Sequence, residues 1–385
     1  MCELALYLPF FMTVLLSVVA FLLLLTVLIL IHEWGHFTAA RLSGVTVEEF
    51  GLGLPPRARK LWKSKGTVFS LNWIPFGGFV RLKGENAITN KERTSKGSFG
   101  SVAIWKRVVI LSAGVFMNLL LAIVILTIGF SVGKWIPTYT TLEAMELSAQ
   151  KGIIDLELGV FVSDVISGDS AAKVGVPKES ILSAVDGVPV TVPNDVVSAQ
   201  EGKRVVTYTI KSGEGFETEK DFTIRLKDGK AGIVLTPFPI KLDAPKHDIF
   251  MALGLAFRET WVVSILTVKG IGTLMKSLVQ SGKVPEGIAG IVGIAQLTHA
   301  SVQEGFMMYL RLVALLSLSL AVLNILPFPA LDGGRLVFVI AELIGRKPVN
   351  RKFELATNTV GFLFLIFLLL FITYYDVVRL FTGES

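Results

Sequence analysis

The stretch "LLTVLILIHEWGHFTAARLSG", Leu24 to Gly44, joins a long apolar run directly to the pattern H-E-x-x-H. On a helix, His32 and His36 stand at i and i+4, so both imidazoles leave one face and can hold one metal ion at Zn–N distances of about 2.0–2.1 Å. Glu33 lies beside them, placed to take a proton from an activated water rather than to bind the metal. H-E-x-x-H occurs in unrelated chains by chance. A chance match does not account for three ionisable residues at the end of an apolar span, where such groups are costly and usually functional.

The rest of the chain says what that span is. Of 385 residues, 52% are hydrophobic, and the mean hydropathy is +0.64, well above that of an ordinary soluble domain. An integral membrane protein is expected. The single cysteine, Cys2, excludes an intrachain disulfide and a Cys-type zinc site. The net charge of +6 reports which loops face the cytoplasm rather than an anionic partner, and no nucleic-acid partner is expected.

Four uncharged runs can cross a core of about 30 Å: Leu4 to Ile31, Val108 to Gly133, Leu312 to Leu331 and Leu355 to Tyr375. The first lacks a preceding basic residue and a small-x-small cleavage site, so it reads as a retained span, not a signal peptide. Residues 37–107 carry thirteen Lys/Arg against four Asp/Glu, which places that loop in the cytoplasm. Residues 134–248 carry thirteen basic and seventeen acidic residues and read as a soluble region on the far side. The segment from Ile249 to Leu278 is apolar at helical spacing but is interrupted by Arg258, Glu259, Lys269 and Lys276. A central charge costs about 2.5–3.5 kcal/mol to insert, so amphipathic helices at the outer interface are expected there. Parity agrees: if this segment does not span, Asp332 emerges on the same side as His32.

A catalytic zinc needs a third protein ligand. The metzincin position, six residues past His36, is Leu42, and His247 and His299 fall on the outer side. The candidate lies in "NILPFPALDGG", Asn324 to Gly334. Its prolines break the third run and present Asp332 at the depth of the histidines, while Gly333 and Gly334 permit close backbone approach or positive φ. The alternative is that Asp332 only caps the helix that follows.

HEWGH on the first span, NILPFPALDGG after the third and one outside domain between them resemble the site-2 proteases, intramembrane zinc metalloproteases, in the bacterial branch of regulator of sigma-E protease type. The resemblance covers nearly the whole chain. It implies Zn2+ held by His32, His36 and Asp332, Glu33 as general base, and cleavage within the membrane of single-span proteins such as anti-sigma factors or signal-peptide remnants. It further implies Asn324 as a donor to substrate or oxyanion, against a plain interhelical hydrogen bond. "GVFMN", Gly114 to Asn118, matches the family's second-span G-x-x-x-N pattern; Asn118 is then a substrate-side residue, and helix packing is the other reading. "SLNWIPFGGFVRLKGE", Ser70 to Glu85, resembles the family's membrane re-entrant β-loop, where Gly78, Phe79, Val80 and Arg81 offer a strand edge to unwound substrate. "FGLGLPPR", 50–57, belongs near it without an assigned role.

The outside stretch Leu158 to Val190 reads as a PDZ domain, with Gly159, Val160 and Phe161 on a peptide-accepting edge. Its Glu179-Ser180 departs from the usual Gly-Asp, and only one such unit is visible. A size filter that binds no peptide is the alternative role.

The expected fold is therefore membrane α-helical, with about four transmembrane helices, a membrane re-entrant β-loop and an inserted extracytoplasmic PDZ domain of mixed α/β type. The expected divisions are a first transmembrane helix at 1–36, a cytoplasmic loop at 37–107 and a second helix at 108–133. An extracytoplasmic region follows at 134–248 with the PDZ domain at about 155–240, then interfacial helices at 249–306. A third helix at 307–334, a cytoplasmic loop at 335–354 and a fourth helix with tail at 355–385 complete the chain. The family branch implies a bacterial inner membrane, with membrane lipid as surroundings. A transporter would show an inverted repeat, which is not found between the pairs of spans. A non-catalytic scaffold presenting a PDZ domain needs no H-E-x-x-H, and a tethered zincin would keep its metal in a soluble domain.

Overall fold

In the first unit, α1 (Cys2–Leu42) is built almost wholly of Leu, Ile, Val, Phe and Ala along its middle, and stops at Gly44, which takes a positive φ of 86°. The computed structural model describes residues 2–382 apart from 86 and 88. After α1 come β1 (Val47–Ser64), β2 (Thr67–Leu82), α2 (Asn90–Arg93) and α3 (Ile104–Val132). The chain then leaves this unit for residues Lys134–Lys246 and rejoins it from His247 onward.

The inserted unit holds α4 (Leu142–Gln150), β3 (Asp155–Val165), α5 (Ser170–Lys173), β4 (Ser180–Val185), β5 (Val188–Pro189), α6 (Pro193–Gln200), β6 (Val205–Ser212), β7 (Thr218–Arg225) and β8 (Ile233–Asp243). Its strands form one sheet in the order β7-β6-β4-β3-β8, with β5 paired to β4. Alternate residues of these strands, among them Val160, Val162, Leu182, Tyr208, Ile210 and Ile224, bury one face into a single core. The start of α6 is fixed by Asp195, whose carboxylate accepts from the Thr191 and Val192 N–H groups and the Thr191 hydroxyl. Those bonds hold its pKa below the ordinary carboxylate value.

This sheet corrects one expectation. Gly159, Val160 and Phe161 do not form a free edge: β8 pairs with all three, and Val160 and Phe161 also pair with β4 through Leu182 and Ile181. The last strand of the unit returns to cover that side, so the open edge belongs to β8.

Back in the first unit, α7 (Ile249–Ser281), α8 (Ile291–Glu304), α9 (Phe306–Ile325), α10 (Asp332–Gly345) and α11 (Arg351–Thr382) follow. Five helices, namely α1 from Met12, α3, α7, α9 and α11, are long and apolar enough to cross a membrane. On α11, Val360, Phe362, Leu363, Phe367 and Leu370 are all exposed, an apolar surface that water would not tolerate but lipid does. The chain has the make-up of an integral membrane protein.

Where the expected plural helices at 249–278 should lie, α7 is one continuous helix of 33 residues. Its start sits at the far end of α3, where the His247 N–H donates to the Phe130 carbonyl over 3.2 Å. Its last turns, at Leu274, Met275 and Leu278, pack against Leu368, Phe371 and Ile372 of α11. Both contacts lie well beyond the portions of α3 and α11 that face Asp332 and the histidines. α8 belongs to the same end: His299 Nδ1 lies 2.8 Å from Ser17 Oγ, four turns before His32 on α1.

The hairpin of β1 and β2 turns at Lys65 and Gly66, both at positive φ. The first half of β1 is paired on both sides, since Leu52 stands opposite both Leu71 and Gly78. Residues 78–82 are paired on one side, to β1, so their other side is an edge among the described residues. Gly78 and Gly77 lie against Leu30 and Ile29 of α1, one turn before His32.

Asp376, buried near the end of α11, accepts from the Gly290 and Gly293 N–H groups at 2.8 Å each and so caps α8 from another helix. Asp376→Ala would leave both donors without a partner, the buried Gly290 N–H at about 1–3 kcal/mol and the half-buried Gly293 N–H at less. The expected result is a lower unfolding midpoint in thermal denaturation of the purified protein. Asp376→Asn, which keeps one acceptor oxygen, should lie between that variant and the wild type.

Candidate metal centre

Glycine decides how near α1 comes to α3. A Cβ on Gly35 would strike the Ala113 carbonyl, and one on Gly114 would lie 2.7 Å from His32 Nε2 and collide with His36 Nε2. With both positions bare, the two helices cross closely enough for α3 to form the back wall behind the imidazoles.

The third group arrives from α9 and α10. Leu326, Pro327 and Pro329 end α9, and Ala330, at a φ of 75°, turns the chain with its N–H donating to Asn358 Oδ1 over 3.2 Å. Gly333 and Gly334 then pass so close to the Ile325, Leu326 and Phe328 carbonyls that any Cβ would overlap them. Close approach, rather than positive φ, is the reason for both glycines. Asp332 is the first residue of α10, and its carboxylate is directed to the histidines, not to a capping position.

Asp332 Oδ2 lies 2.9 Å from His32 Nε2 and 3.2 Å from His36 Nε2, and the two Nε2 atoms are 3.1 Å apart. Tetrahedral ligands at Zn–N and Zn–O distances of about 2.0–2.1 Å stand about 3.3 Å from one another, so this triangle has the size of one face of a zinc site. Two imidazole nitrogens and one carboxylate oxygen are also a donor set zinc accepts. Both histidines are buried.

The far nitrogen of each ring is fixed by the second span. His36 Nδ1 donates to the Ile110 carbonyl over 2.8 Å, which leaves Nε2 free as a ligand. Behind His32 lies Asn118, with no exposed surface and its amide 3.4 Å from Nδ1. A ring that ligates through Nε2 carries its proton on Nδ1 and needs an acceptor there. The Asn118 Oδ1, otherwise buried without a partner, supplies it when that end of the amide faces the ring. Asn118 thus stands behind a ligand, and not in the cleft where substrate was expected.

The open side of the triangle is a cleft of about 210 Å³ lined by Ile29, His32, Glu33, Asn324, Leu331 and Asp332 together with Leu320 and Ala330. Glu33 and Asn324 therefore share the cleft with two of the three donors. One turn past Asp332, Arg335 pairs with Glu85 at the close of β2, which ties the hairpin to α10. Sequence reasoning gave no place to the Ile110 carbonyl, because a backbone acceptor carries no residue signature. It also missed the Arg335–Glu85 pair, 250 residues apart in the chain.

A His-His-Asp triad with a carboxylate beside it and an open cleft is the donor set of a zinc metalloprotease, in a chain with the make-up of an integral membrane protein. Comparison with known proteins gives the family: the peptidase family M50 profile matches residues 20–368, and the chain belongs to it. A Fusobacterium nucleatum protein named as a zinc metalloprotease is 30% identical over 378 residues, covering 96% of this chain and 100% of the relative. One of the same designation from Campylobacter jejuni is 29% identical, covering 94% and 93%. The regulator of sigma-W protease RasP of Bacillus subtilis is 25% identical over 451 residues, covering 95% and 99%.

Replacing Asn118 by leucine should lower zinc affinity about 10- to 100-fold, the usual cost of losing an outer-shell partner. Zinc retained by the purified protein during titration with a chelator measures it. Asn118→Asp, which keeps an acceptor, should retain zinc nearly as the wild type does.

Proposed function

We propose that this protein cleaves peptide bonds inside the transmembrane segments of single-span membrane proteins. The observation that carries the reading is the convergence of His32, His36 and Asp332 at the ends of apolar helices, with Glu33 and Asn324 on the same cleft. Zinc held by the three donors supplies Lewis acidity to the scissile carbonyl and the attacking water. Glu33 takes the proton from that water and returns it to the leaving amine. Asn324 donates from its amide to the carbonyl oxygen as negative charge develops there. A substrate helix must unwind first, because its carbonyls are committed to internal hydrogen bonds. The unpaired side of residues 78–82 offers the replacement partners through Gly78, Phe79, Val80 and Arg81, on a strand whose Gly77 and Gly78 lie against Ile29 and Leu30 of α1.

In this reading α1, α3, α9 and α11 cross the membrane. α7 and α8 stay at the outer end, which the placement of both ends of α7 far from the metal triad supports. The basic loop 37–107 faces the cytoplasm, the inserted unit lies outside, and the membrane is a bacterial inner membrane. The inserted unit acts as a PDZ-type filter that admits substrates already trimmed outside. Its receptor strand is β8, beside α6, in place of Gly159 to Phe161. Pro237 and Pro239 stand opposite Val160 and Leu158; having no N–H, they remove two donors from the open edge. That favours a short contact near Ile233 to Leu235, or filtering by bulk alone. The name of the Bacillus subtilis relative favours anti-sigma factors as the substrate class.

The test is cleavage of a tagged single-span substrate in proteoliposomes, with zinc measured on each purified protein. Glu33→Gln should lose about 10²–10⁴-fold in rate while keeping its zinc, and Asp332→Asn should lose both. A wild type that holds no zinc and cuts no faster than these variants would sink the proposal and favour a non-catalytic scaffold.

A further inference from the structure

Between α3, α10 and α11, at the end of the helices nearest the metal triad, lies a second cavity of about 310 Å³, larger than the cleft at the metal. Four arginines line it: Arg93, Arg107, Arg335 and Arg351. Three glutamates answer them. Glu342 is shared by Arg93 and Arg107, at 2.9 Å each; Glu85 pairs with Arg335; and Glu354 lies 2.7 Å from Arg351. Four cations against three anions leave one net positive charge around a cavity.

The pairing is also incomplete. Arg107 is 4% exposed, and its Nε is buried with no partner; the Nε of Arg351 is likewise buried and unpartnered. Arg351 also opens α11, a helix of 32 residues, whose first-turn N–H groups add positive potential on the same side. Arginines that merely braced three helices would pair one to one and close the space between them. These enclose a volume whose wall carries one more cation than anion.

Apart from Asn358 and Thr359, much of the remaining wall is apolar, with Leu111, Phe338, Leu355 and Phe362. Phe362 is 55% exposed and belongs to the apolar outer surface of α11, so the cavity opens where lipid would lie. A fully solvated anion has no use for such a wall; an amphiphile with an anionic head and acyl chains does. The same end of the helices carries the basic loop 37–107, the side on which anionic headgroups bind to basic pockets between spans.

We propose that this cavity holds the phosphodiester headgroup of an anionic phospholipid, with Arg93, Arg107 and Arg351 as its donors. The headgroup supplies the one missing negative charge, and its chains run down α11 past Phe362. The site is distinct from the metal triad, although Arg335 stands one turn from Asp332, so a bound lipid would brace the α10 turn that presents the third metal donor.

The experiment uses the full chain, zinc-loaded, extracted from nanodiscs of mixed phosphatidylglycerol and phosphatidylcholine, with retained lipid counted by native mass spectrometry. The wild type should retain one phosphatidylglycerol in preference to phosphatidylcholine. Arg351→Gln should reduce that preference about fivefold, and Arg93→Gln with Arg351→Gln about thirtyfold, the loss expected for one and two basic contacts at an anionic surface. Lys63→Gln, on the hairpin, should leave it unchanged, and Arg107→Lys, which keeps the buried charge, should preserve most of it. Equal retention of the two lipids by the wild type, or an unchanged preference in both arginine variants, overturns the proposal. A parallel thermal titration with inorganic phosphate separates the sources: stabilisation by phosphate without any lipid preference would overturn the lipid assignment in favour of a free anion.

Discussion

The distance between α1 and α3 governs everything else at the metal centre. His32 and His36 are presented by one helix, but their tautomers are set by another, through the Ile110 carbonyl and the Asn118 amide. Those contacts need backbones nearly in touch, and only residues without a Cβ at 35 and 114 allow it. A methyl group at Gly114 would occupy the space in which the two Nε2 atoms meet. The pattern Gly-x-x-x-Asn on α3 therefore has a local meaning: one position makes room for the imidazoles, and the other, a turn later, offers a hydrogen-bond acceptor to the Nδ1–H of one of them.

The second dependence is on broken helix. A polar backbone stripped of its partners is costly in an apolar setting, and chains tolerate it where other groups answer. Here Asn358 answers the Ala330 N–H, and the stacked approach of Gly333 and Gly334 to the end of α9 folds the break into a tight turn. Asp332 is delivered from the far side of that turn to atoms fixed 296 and 300 residues earlier. Arg335, on the same turn, reaches back to Glu85 at the foot of the hairpin. Metal donor and strand edge are thus braced through one ion pair, which lets the edge and the triad keep a fixed relation.

Much of the site was legible because its chemistry demands particular residue types at particular spacings. His32, Glu33 and His36 follow from helical periodicity, and Asp332 from the need for a third ligand plus a parity count along the chain. The separateness of the region expected at 134–248 followed from its charge balance, and the structure bounds it at Lys134–Lys246; the strand edge at Gly78 to Arg81 was implied by the family resemblance, and its position against α1 came only from the structure. Asn118 was harder: an asparagine on a span can face substrate or a ligand, and spacing treats both alike. Gly159 to Phe161 misled for a different reason. Strand character was readable, but which strand stands at a sheet edge depends on where the last strand of the unit returns, and local pattern carries no record of that.

The sequence by itself determined the membrane character, the zinc chemistry and the identity of the triad, since apolar length, H-E-x-x-H spacing and an acid after a proline break are properties of neighbouring residues. Tertiary structure alone decided what surrounds them. The crossing at Gly35 and Gly114, the carbonyl of Ile110 behind His36, the course of α7 and the cavity among four arginines all join residues far apart in the chain. Such contacts are chosen by packing, where shape and unpaired donors settle which distant groups can meet, and no periodicity along the chain encodes them.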